Sequence, residues 1–183
     1  MAISSTFVTG QVFTAADANL MANSGLVYVA SSTIGTTVSS HVVSGCFSST
    51  YDNYRITITG GVASTATDYN IQLNGITGSV YQTVGYYITF GTATLVAFAP
   101  ALTTSMIVGS SDAVRYGVSF DLYSPNLTQQ KFLTGANGIS TTATYFTNSK
   151  CTSTSVATGF TIIPASPTTL TGGTVTVYGY RKV

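Results

Sequence analysis

At 183 residues the chain suits one domain with a sizeable core, yet only 6% of it is charged, against about 25% in a typical soluble domain. A formal charge of +1 without any cluster of Lys or Arg excludes a strongly basic nucleic-acid surface. No apolar run reaches the roughly 18 residues of a membrane helix, and no basic, apolar leader marks a secretory signal.

Polarity is carried by Ser and Thr, close to a third of the chain, while the acids are Asp17, Asp52, Asp68, Asp112 and Asp121 with no Glu. So little charge leaves weak repulsion between copies. The surface fits a subunit covered by its own copies better than a free monomeric enzyme.

Residues 1–25 read as a separate N-terminal attachment segment. Thr14 is placed to cap a short helix over 15–22, Asp17 complements its N-terminus, and Gly25 ends it. So short a helix is not stable alone. It needs a surface to lie on, which makes Phe13, Thr14, Asp17, Leu20 and Met21 the candidate anchor.

From residue 26 to 183 the pattern is β. Tyr54, Ile56 and Ile58 alternate with Arg55 and Thr57, and the same period recurs over 69–73 and 114–122. Further strands are expected at 26–30, 34–43, 80–90, 94–98, 104–108, 139–146, 156–163 and 174–180. Asn74-Gly75 and Asn137-Gly138 read as hairpin turns and Gly172-Gly173 as a third turn. Pro100, Pro125, Pro164 and Pro167 fall between the expected strands. The expected fold is all-β, an antiparallel, jelly-roll-like sandwich with a short N-terminal helix.

Chemistry-bearing constellations are sparse. His41 is the single His, it lies in a Val- and Ser-rich strand, and no Gly-x-Ser-x-Gly elbow accompanies it. Asp68, Asp112 and Asp121 are candidates for a carboxylate pair, whereas Asp52 and Asp68 sit where turns favour Asp for local hydrogen bonding. No calcium loop or phosphate-binding Gly loop is present. No enzyme activity, metal or cofactor is expected. Cys46 and Cys151 lack metal spacing and read as free buried thiols. The sequon at Asn126 carries no weight without a secretory signal. Among the 12 Tyr, Tyr86, Tyr87, Tyr123 and Tyr145 are candidates for contact with a glycan or with a sister subunit.

The segment Phe7-Val8-Thr9-Gly10-Gln11-Val12-Phe13-Thr14-Ala15-Ala16-Asp17-Ala18-Asn19-Leu20 resembles one found near the N-terminus of many tailed-bacteriophage structural proteins. The phrase from Phe47 to Ile56 and the ending from Leu170 to Tyr180 are similar to stretches of phage tail and fibre proteins. The resemblance implies a non-enzymatic virion subunit, commonly a homotrimer, joined to other capsid or tail proteins through its N-terminus. A short tail fibre or spike suits the chain length. A capsid decoration or head-fibre protein and a module binding a host surface glycan are the alternatives. The implied location is the virion, assembled in the host cytoplasm.

Overall fold

The computed structural model describes residues 12, 14, 25–100, 103–114, 117–139 and 141–182, with the backbone alone described for 136–139. Fourteen strands follow in chain order: Leu26–Thr33 (β1), His41–Val43 (β2), Asn53–Thr59 (β3), Val62–Ala63 (β4), Thr67–Leu73 (β5), Tyr81–Thr89 (β6), Leu95–Phe98 (β7), Met106–Ser111 (β8), Gly117–Tyr123 (β9), Lys131–Ile139 (β10), Ala143–Cys151 (β11), Phe160–Pro164 (β12), Leu170–Thr171 (β13) and Thr174–Tyr180 (β14). The described residues contain no helix, so the fold is all-β. The expected N-terminal helix lies outside the described residues.

Alternation explains the strands that frame the core. Tyr54, Ile56 and Ile58 of β3, Val118, Phe120 and Leu122 of β9, and Val175 and Val177 of β14 point inward and are buried. Arg55, Thr57, Ser119, Asp121, Thr176 and Tyr178 take the intervening positions. Buried side chains of this kind contribute about 1.5–3 kcal/mol each.

Every pairing is antiparallel. An eight-stranded sheet runs β1-β14-β3-β9-β10-β11-β6-β7, and a four-stranded sheet runs β2-β12-β5-β8; β13 and β4 form a small separate ladder. The two sheets share one core, in which Val43, Ile71, Leu73, Phe160 and Ile162 of the smaller sheet meet the inward residues of the larger. Phe47 stacks on Phe160 and tilts against Tyr54, linking the two layers. The chain crosses repeatedly between sheets, and two hairpins, β6–β7 and β10–β11, widen the larger sheet.

Several sequence expectations are corrected. Asn74-Gly75 does turn, with Gly75 at φ +82°, but it carries the chain from β5 in one sheet to β6 in the other instead of closing a hairpin. Asn137 and Gly138 lie within β10, opposite Phe146 and Tyr145, so the expected turn there is strand. The strand that begins at Lys131 is hidden in the sequence by an irregularity between Leu133 and Ala136, where Gly135 takes φ +64°. The expected strand over 34–43 is only β2 at its end, because the buried Ile34 leaves β1 and bonds to the carbonyl of Gly173. Pro164 ends β12 instead of following it. Cys46 and Cys151 are free and buried, as the sequence implies.

Candidate functional site

The site begins with the edge of the smaller sheet. An open strand edge exposes unpaired backbone groups, and β8 satisfies Ile107 by seating it on the larger sheet. The Thr147 hydroxyl donates to the Ile107 carbonyl at 2.9 Å, and the Ile107 N–H donates to Thr83 Oγ1 at 3.2 Å. Thr83 also shares a 2.8 Å hydrogen bond with Ser149. All three hydroxyl residues are buried on the inner face. This seat turns the outer surface of the smaller sheet's edge toward the inner face of β6, β7 and β11, and a cleft opens between them.

The cleft has a volume of about 420 Å³ and is lined by Asp68, Tyr87, Phe98, Ala99, Pro100, Ile107 and Tyr145. Tyr87 and Tyr145 are directly opposite in the β6–β11 pairing, and their rings stack at 5.1 Å with an interplanar angle of 25°. Phe98 closes on Tyr145 at 6.4 Å. Gly85 makes room for that approach: a Cβ there would strike the Phe146 carbonyl and lie 3.2 Å from Phe98 Cζ. The phenol pKa of Tyr145 is raised, first by burial and then by the charge of Asp68 nearby.

Asp68 is the polar element of the cleft. It is open to solvent on one side, but the surrounding protein desolvates the carboxylate and raises its pKa. Among the described residues no hydrogen bond or ion pair serves that carboxylate. The other described acids are engaged. Asp52 pairs with Lys182 at 2.7 Å, and Asp121 pairs with Arg55 at 3.0 Å and accepts from Tyr180. Asp112 accepts from Val114 and Thr141.

The outward face of the eight-stranded sheet differs. Leu26, Tyr28, Val84, Tyr86, Leu95, Tyr123 and Phe132 are exposed on it, Tyr28 and Val84 to about 60%. Among the described residues its charges are Arg55 and Asp121, which pair with each other, and Lys150. A trough of about 650 Å³ crosses this face between Val84, Pro100, Phe132 and Lys150. The two edges of the sheet are β1 and β7, whose sequences Leu-Val-Tyr-Val-Ala-Ser-Ser-Thr and Leu-Val-Ala-Phe hold no charge and no Pro.

The four candidate tyrosines do not form one surface. Tyr87 and Tyr145 meet in the cleft, Tyr86 stacks on Phe146 on the opposite face at 5.1 Å, and Tyr123 stands on that outward face on β9. Asp68, expected at a turn and serving local hydrogen bonds, is inside β5. Sequence reasoning gave Phe98 and Ile107 no role; only the pairing of distant strands brings them in. His41 at the start of β2 bonds through Nε2 to the Ser32 hydroxyl at 2.8 Å, and burial lowers its pKa. That contact joins the first strand of the larger sheet to the first strand of the smaller, and no carboxylate touches the ring among the described residues. Of the anchor candidates, Thr14 is described and exposed; Phe13, Asp17, Leu20 and Met21 lie outside the described residues. No protein-family model, curated protein or solved structure matches this chain.

Proposed function

We propose that this protein is a non-enzymatic structural subunit of a bacteriophage virion, a short tail-fibre or spike component that assembles as a homotrimer. Residues 1–25 hold it to neighbouring capsid or tail proteins. The observation that carries the reading is the outward face of the eight-stranded sheet. It exposes Val84, Leu95 and Phe132 beside few charges, and both its edges are uncharged strands. Monomeric proteins protect such edges with Lys, Pro or a covering loop, and broad apolar patches mark contact surfaces.

The strand order supports it. With the two inserted hairpins set aside, β1-β14-β3-β9 faces β2-β12-β5-β8, the order of a jelly roll, an architecture common in capsid proteins. The leader resembling phage structural proteins points the same way.

Phe132→Asp and Val84→Lys on the outward face test the reading. Both positions are exposed in the single chain, so each variant folds with little loss of stability. Each is expected to shift the purified full-length protein from oligomer to monomer in sedimentation velocity. A wild-type protein that sediments as a monomer, or variants that stay oligomeric, would overturn it. A particle lacking residues 1–25 of this chain is expected to lose the subunit.

A further inference from the structure

We propose that the cleft between β5, β8 and the β6–β7–β11 overhang is a binding site for a neutral hexopyranose, with Tyr87, Tyr145 and Phe98 against the sugar's C–H face and Asp68 accepting from its hydroxyls. This site stands on its own geometry and does not depend on how the subunits assemble.

A hexopyranose is two-sided: axial and ring C–H groups make a flat apolar patch, and the rim is a ring of hydroxyl donors. The cleft is two-sided in the same way. Tyr87 and Tyr145 stack nearly parallel, Phe98 tilts against Tyr145, and Ile107 and Pro100 complete an apolar wall. Flat aromatic faces bind apolar C–H surface while the phenol hydroxyls remain available for hydrogen bonds. Opposite stands Asp68, whose carboxylate has no hydrogen bond or ion pair among the described residues. Its solvent-facing carboxylate is placed to accept from a vicinal pair of sugar hydroxyls, a charge-assisted hydrogen bond. The volume of about 420 Å³ is within the range of small-molecule sites, about 300–1,000 Å³.

The same geometry argues against the nearest rivals. Among the described residues no cation lines the cleft beside Asp68, and a lone carboxylate repels uronic and sialic acids. One carboxylate with no second acid among the residues lining the cleft provides no pair for glycoside hydrolysis, which requires two. The site is therefore built to bind.

The test is a titration of the full-length protein with methyl β-D-galactopyranoside and methyl β-D-glucopyranoside, followed by saturation-transfer NMR and calorimetry. Saturable binding of at least one is expected, with glucuronate binding at least about tenfold more weakly. Asp68→Asn is expected to weaken the interaction about tenfold, the scale of a hydrogen bond to a charged group, and Tyr145→Ala to abolish it. Asp68 is a solvent-facing position, so its Asn variant folds and tests the site even if Tyr145→Ala does not. Three results would overturn the proposal: neither glycoside binds, binding is unchanged in Asp68→Asn, or tetramethylammonium displaces the sugar more effectively than a second neutral sugar does.

Discussion

Replacing the two threonines that seat β8 tests how the cleft is built. Thr147→Val removes the donor to the Ile107 carbonyl, and Thr83→Val removes both the acceptor of the Ile107 N–H and the bond to Ser149. Valine keeps nearly the same shape, so the change is in hydrogen bonding and not in packing. A backbone group left unpaired in a part-buried site costs about 1–2 kcal/mol, so the double variant loses about 2–4 kcal/mol. For a protein of this size that lowers the melting temperature by roughly 5–15 °C. Chemical denaturation gives the energy, and amide exchange gives the location: the Ile107 N–H is expected to exchange about tenfold faster for each 1.4 kcal/mol lost locally. The N–H and C=O of Ile107 belong to successive peptide units and are served by different hydroxyls, so the double variant is expected to lose close to the sum of the two single losses. A double variant as stable as wild type, with Ile107 equally protected, would refute the view that these hydroxyls hold β8 in place.

Other consequences follow from single groups. The Asp68 pKa is raised in the folded state, so its charge costs stability above that pKa, and the cost disappears as pH falls below the ordinary value of 3.8. Asp68→Asn is therefore expected to raise the melting temperature at neutral pH, by an amount worth less than about 1 kcal/mol, and to match wild type in strong acid. Burial lowers the pKa of His41, so its favourable contribution is complete above 6.5 and declines as pH falls through the depressed folded value. A His41→Gln variant is expected to lose less stability than wild type over that window in pH-dependent denaturation. Gly85→Ala forces a Cβ against the Phe146 carbonyl and crowds Phe98, a clash expected to cost about 1–3 kcal/mol in denaturation.

The strands legible in the sequence are those with one wet face. Tyr54-Arg55-Ile56-Thr57-Ile58 reads correctly because Arg55 and Thr57 face outward while their neighbours enter the core. Strand β8, Met106–Ser111, has no such rhythm because nearly every position is buried, its open edge being seated on the larger sheet. Strand β10 was masked by the turn-like pairs at Gly135 and Asn137-Gly138, which the chain absorbs as an irregularity within the ladder. The cleft was half legible. Adjacent residues on a strand face opposite sides, so Tyr86 and Tyr87 could never share a surface, and that parity alone separates them. Joining Tyr87 to Tyr145, and both to Asp68, required the order of strands in two sheets. No local pattern encodes that order.

The account rests on an outward sheet face and two uncharged edge strands that a second copy covers. Sedimentation equilibrium of the purified full-length chain over a wide concentration range tests this most directly. The account predicts a single closed species with the mass of three chains, dissociated by Phe132→Asp. A species with the mass of one chain at every concentration would contradict it.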